Sequence, residues 1–284
     1  MKTTRNVSIQ CKGVFTPDEN WKNTTKYGIN RLYYIEEGIG WYTENDVRVP
    51  FEPGKLYFIP FFAGVHTYTD LEHKLKHSYV TFTLSPPIIS KKVICINPEK
   101  NDKISSAVST LRTHCQDEMP YFRLKGPLSP KESNEMALLE SLALYLTESM
   151  IDECDAEILN DETIVTALDI MHFSFHQKIT VNEIAQKCFI SKDGFIKKFS
   201  RIVGETPYAY LKKIRLSKAK EMFKEGASVE ATAIACGYAD ASSLLHAIAN
   251  DEKDKNIFQY PRRKSKSVDL HRQRDNYFGL NISK

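Results

Sequence analysis

The chain has 284 residues but only two tryptophans and six cysteines, and no two cysteines form a C-x-x-C pair. Scattered at Cys11, Cys95, Cys115, Cys154, Cys188 and Cys236, they argue against a disulfide framework or a thiolate zinc site and read as reduced thiols. No run of about 18 apolar residues is present to cross a membrane. The opening Met1-Lys2-Thr3-Thr4-Arg5-Asn6 leads into no apolar signal segment, so the expected compartment is the cytoplasm. A one-signed charge excess is missing as well, with 39 basic against 36 acidic side chains. What remains is an ordinary globular composition, 42% hydrophobic, long enough for two cored domains.

The near-zero balance hides a split. Residues 1–177 carry 18 basic and 24 acidic side chains, net −6, and residues 178–284 carry 21 and 12, net +9. Lys178 to Lys224 alone holds 12 basic against 4 acidic, the footprint of a polyanion partner. Two helix starts are written inside that block. Thr180 with Glu183 forms a capping box, and Ser191 caps a second helix that Gly204 stops. Phe195, Phe199 and Ile202 then share one buried face. The opposite face carries Asp193, Gly194, Lys197, Ser200 and Arg201, with Lys192 and Lys198 beside it. The pattern predicts a helix-turn-helix that offers Asp193, Lys197, Ser200 and Arg201 to base edges, while Ser191, Lys192 and Lys198 position the backbone. Against it stands the plain reading that any amphipathic helix shows lysines to water.

The acidic half is organised differently. Leu32-Tyr33-Tyr34-Ile35, Trp41-Tyr42-Thr43 and Leu56-Tyr57-Phe58-Ile59-Pro60 read as short strands punctuated by Glu37-Gly38-Ile39-Gly40 and Glu52-Pro53-Gly54. They predict a small antiparallel barrel or jelly roll. The run Pro53 to Pro60, followed by Gly64 and His66, resembles the second motif of the cupin barrels. Metal-binding cupins carry a His-x-His that is missing here, so neither a metal nor another cofactor is expected, although His66, His73 and His77 are present. Tyr34, Trp41, Tyr57 and His66 are the candidates to line an effector pocket, with core packing as the plainer role for each. Ser129-Pro130-Lys131-Glu132 opens a helix to about Met150 whose Leu139, Leu142, Leu146 and Met150 stripe suits packing or a dimer seam.

After Gly204, Thr206-Pro207 starts a long helix closed by Gly226, and Ser228 begins a second helix pair broken at Gly237. The layout Ser191, Phe199, Gly204-x-Thr206-Pro207-x-x-Tyr210-Leu211, Arg215-Leu216, Ala219, then Ala233, Gly237-Tyr238-x-Asp240-x-Ser242, resembles the AraC family of bacterial transcription regulators. That resemblance covers about Asp161 to Ala247. It implies a bacterial two-domain regulator that binds double-stranded DNA through two recognition helices, takes a small-molecule effector, acts as a homodimer and touches RNA polymerase. The expected division is an all-β effector and dimerisation domain with appended helices over 1–150 and a linker over 151–159. An all-α DNA-binding domain over 160–262 and a basic tail over 263–284 complete it.

The second unit departs from the family. Leu244-Leu245-His246-Ala247-Ile248-Ala249-Asn250 stands where basic residues are usual, and residues 225–260 hold 6 acidic against 2 basic side chains, a balance that repels phosphate. Asp240, Ser242, Ser243 and His246 remain its polar candidates. Two rivals follow: an effector-binding module with a degraded DNA half, and a cupin enzyme with a helical appendage. The expectation is a regulator, not an enzyme.

Overall fold

A computed structural model describes residues 5–17, 23–24, 28–44, 47–117, 129–156, 158, 161–224 and 226–250. The tail read over 263–284 lies outside them. The chain divides into two compact units, Met1–Asn160 and Asp161–Lys284.

In the first unit, β1 (Asn6–Phe15), β3 (Asn30–Glu37), β6 (Leu56–Ile59), β8 (Lys76–Ser85) and β9 (Ile94–Ile96) form one antiparallel sheet in the order β1-β8-β3-β6-β9. The other sheet, in the order β2-β7-β4-β5, is made by β2 (Asn23–Thr24), β4 (Gly40–Glu44), β5 (Val47–Pro50) and β7 (His66–Thr69). The β-rich expectation therefore takes the form of two sheets. The central strand β3 is covered on both faces, because successive side chains point to opposite sides. Leu32 joins Phe58, Val80 and Phe82 in a core shared with α1 (Asp102–Cys115) and α2 (Pro130–Glu153). Tyr33 and Ile35 join Tyr42, Phe51, Tyr57 and Leu75 in a second core.

Helix α2 starts where the sequence places it, with Ser129 and Glu132 in a reciprocal capping box. Leu139, Ala143, Leu146 and Met150 are buried against the sheet, and Leu142 packs at their edge. The helix runs to Glu153 with Ile151 buried, and Ala156 and Ile158 also pack on this core. Much of the stretch read as a linker is thus held on the first unit, since its apolar side chains find cover there.

The second unit is helical: α3 (Glu162–Ser174), α4 (Val181–Lys187), α5 (Lys192–Val203), α6 (Pro207–Lys224), α7 (Val229–Ala235) and α8 (Ala241–Ala249). Asp161, Thr180, Ser191, Ser228 and Asp240 each accept a first-turn backbone N–H as N-caps of α3, α4, α5, α7 and α8. Such caps contribute about 1 kcal/mol apiece. Helix α6 serves two cores. Its first half brings Tyr210, with ring centroids 5.6 Å from Phe199 and 5.7 Å from His172. Its second half brings Leu216, Ala219 and Met222 to Ala233, Cys236, Leu244 and Ile248.

Candidate nucleic-acid interface

Helix α5 owes its orientation to two phenylalanines. Phe195 and Phe199 are fully buried one turn apart, with centroids 5.5 Å from each other. That anchoring turns Lys192, Asp193, Lys197 and Arg201 outward, and all four are exposed. Ser191 Oγ accepts from the Gly194 N–H at 3.3 Å, so its structural duty is the cap.

Two side chains assigned to this face belong elsewhere. The Lys198 ammonium sits 3.0 Å from an Asp161 carboxylate oxygen and donates to Thr163 Oγ1 at 3.1 Å. It ties α5 to the start of α3 where a phosphate contact was expected. Ser200 Oγ is buried and makes no hydrogen bond among the described residues, so it reaches no base edge from this position. Lys198 is claimed by the start of α3, a neighbour that helical phase alone does not reveal.

The second helix pair repeats the frame without the charge. Asp240 Oδ1 accepts from the Ser243 N–H at 2.7 Å, and that bond holds its carboxyl below the usual range. Asp240 is therefore a cap. Ser243 is half-buried, while Ser242, His246, Ala249 and Asn250 are exposed and Leu245 is 38% exposed. Helix α8 carries no Lys, Arg, Asp or Glu between Ala241 and Ala249.

The two pairs are bolted together by more than α6. Arg215 Nε donates to the Phe175 carbonyl and its Nη2 to the Gln177 carbonyl, each at 2.9 Å, and its guanidinium lies 5.8 Å from the Tyr238 ring centroid. Gly237, at φ 76°, packs so closely that a Cβ there would lie 2.4 Å from the Phe175 carbonyl oxygen. The turn between α7 and α8 is thereby pinned to the segment between α3 and α4. Arg215 and Gly237 were visible only as motif letters in the sequence; their joint role needs the fold.

The four effector-pocket candidates do not converge. Tyr57 is buried between the sheets and its hydroxyl accepts from the Glu52 N–H at 2.8 Å. Tyr34 pairs with Leu56, whereas Tyr33 pairs with Tyr57, so Tyr34 lies on the opposite face, beneath the Arg112 guanidinium at 4.3 Å. Trp41 stacks with Tyr68 under Arg48, and His66 is exposed. Short-range pattern does not tell which face of a doubly covered strand looks inward. The side chains that do meet between the sheets are Tyr33, Tyr42, Phe51, Tyr57 and His77. Among the described residues, no group of three or more His, Cys, Asp or Glu side chains is placed to hold a metal ion.

With this geometry in view, comparison with known proteins defines the class. A family model described as a helix-turn-helix domain matches residues 184–250. The HTH-type transcriptional regulator YbfI of Bacillus subtilis, itself uncharacterized, is 23% identical over 119 residues, 40% of this chain and 43% of its own length. The chain thus spans under half of that curated relative. ToxT from Vibrio cholerae has the same two-unit fold, at TM-score 0.52 and 12% identity over 84% of this chain and 93% of that one. An unsaturated fatty acid-bound form of ToxT aligns at TM-score 0.50 and 12% identity, covering 86% and 89%. Residues 184–250, within the second unit, thus match a helix-turn-helix domain. Among the described residues, no helix is long and apolar enough to cross a membrane.

Proposed function

We propose that the protein is a sequence-specific transcription regulator that reads duplex DNA chiefly through α5. One observation carries this reading: burial of Phe195 and Phe199 leaves Lys197 and Arg201 together on the outward side of a short, well-capped helix whose first residue, Lys192, is also exposed. Lys197 and Arg201 read base edges, Arg being suited to guanine, and Lys192 holds phosphate. Asp193 can accept from a cytosine amino group. Helix α6, with 18 residues, spans about 27 Å at 1.5 Å per residue. That length, with the Arg215 and Gly237 clamp, suits two units that address neighbouring turns of one duplex. Helix α8 then contributes Ser242, Leu245 and His246 through van der Waals and neutral polar contacts.

The first 150 residues act as the effector and dimerisation domain. The fatty acid-bound relative supports a small apolar carboxylic acid as the effector class, and the aromatic layer around Tyr57 is where such a molecule would compete with packing. On this reading the protein works as a homodimer, contacts RNA polymerase, resides in the cytoplasm and catalyses nothing. The neutral face of α8 favours a second reading, a module in which only the first helix-turn-helix still binds DNA.

The test is selection of random duplexes by the purified full-length protein near physiological salt. Enrichment of a motif spanning two major grooves supports the two-unit regulator. A motif confined to one groove supports the second reading, and no enrichment at any salt defeats both.

A further inference from the structure

The bend joining α4 to α5 differs from the matching bends of the same unit. Helix α4 ends in a Schellman motif: the Ile190 N–H donates to the Ala185 carbonyl at 3.1 Å and the Phe189 N–H to the Gln186 carbonyl at 3.0 Å. This arrangement puts one residue in the left-handed region, where a Cβ is unfavourable and glycine is the usual occupant. Helices α6 and α7 end with the same bonds, Ala227 to Met222 with Gly226 to Phe223, and Tyr238 to Ala233 with Gly237 to Ile234. There the left-handed residue is Gly226 at φ 81° and Gly237 at φ 76°. At α4 it is Phe189, at φ 55°.

A bulky residue at positive φ is strained, and Phe189 recovers nothing by packing, being 98% exposed. The second helix-turn-helix makes the corresponding bend with glycine, so the bend itself needs no side chain. The surroundings of Phe189 indicate what the ring meets. It lies two residues before Ser191, the N-cap of α5, and exposed Lys187 and Lys192 flank it in sequence. The N-terminal end of a recognition helix is the end that contacts base edges. An apolar ring bordered by cations matches a duplex, whose phosphates take the cations and whose thymine methyls or base faces take the ring.

We propose that Phe189 is a DNA contact of the first helix-turn-helix, an apolar reader standing beside the base-facing side chains of α5. The assignment rests on the DNA-binding reading above. It is tested with the full-length protein and the duplex that the wild type enriches, comparing Phe189→Gly, Phe189→Asn and Phe189→Tyr for affinity across a salt series and for thermal unfolding. Glycine and asparagine accept the left-handed backbone, so both variants unfold at a higher temperature than the wild type. Both also bind about tenfold more weakly with an unchanged salt slope, because the lost contact is not to phosphate. Phe189→Tyr keeps the wild-type affinity. If the wild type enriches a motif and the Gly and Asn variants bind it equally well, the Phe189 assignment is overturned while the DNA-binding reading stands. If the wild type enriches nothing, both are overturned.

Discussion

Arg201 and Lys197 stand one turn apart on the exposed side of α5, which makes each of them separately testable. Replacing either by alanine is expected to cost about 1–3 kcal/mol on the selected duplex and to relax specificity at one position. Lys192→Ala should weaken all sequences alike and lower the salt slope by about one; affinity measured on matched and scrambled duplexes separates the two behaviours. Ser200→Ala is the contrasting case, since its hydroxyl is buried, and the expected outcome is unchanged discrimination between sequences. Lys198→Ala should show mainly in stability, because its ammonium is held by Asp161 and Thr163. Lys197 and Lys198 lie about 100° apart on the helix, and that phase cannot say which neighbour will claim the second. The packing of α3 against α5 decides it.

At the scale of the element, the second helix pair depends on its turn and its cap. Gly237→Ala would drive a methyl to 2.4 Å from the Phe175 carbonyl at a positive φ, so a loss well above 1 kcal/mol is expected, seen as a lower unfolding midpoint. Asp240→Ala removes the cap of α8 at a cost of about 1 kcal/mol, readable by urea unfolding. The effect of Gly194 is settled only in three dimensions. Propensity alone says that alanine there should gain about 0.5–1 kcal/mol. Its Cβ would stand 2.9 Å from Ser191 Oγ, the group that caps α5, so the gain should vanish when unfolding of Gly194→Ala is compared with the wild type. Caps and stops are local chemistry, and Thr180, Ser191, Gly204 and Ser129 were legible for that reason. The pairing of β3 with β6 is not local, and it sent Tyr34 and Tyr57 to opposite faces.

For the whole molecule, acid should act on both units through one histidine in each, His77 buried and His172 half-buried. His77 lies between the sheets and His172 shares a hydrogen bond of 2.9 Å with the Tyr210 hydroxyl. Burial lowers both imidazoles from 6.5 to about 3. The unfolded chain therefore binds protons that the folded chain refuses between those values. Stability should be full above about pH 6.5 and fall on acidification by up to about 1.4 kcal/mol per pH unit for each histidine, levelling near pH 3. Urea unfolding at pH 7.5 and pH 5.5 measures the slope, and His172→Gln should flatten it for the second unit alone. By itself the sequence determined the two-part division of charge, the β-rich front and helical back, the helix starts and stops, and the basic character of the first recognition helix. Those features rest on composition and on contacts within a few residues along the chain. Only the tertiary structure decided that Lys198 and Ser200 turn inward, that the aromatic candidates of the first unit fail to meet, that Arg215 and Gly237 clamp the helix pairs together, and that Phe189 stands uncovered. Each of these depends on what a distant segment places against a side chain, and burial, unlike helical phase, is set by packing between segments far apart in the chain.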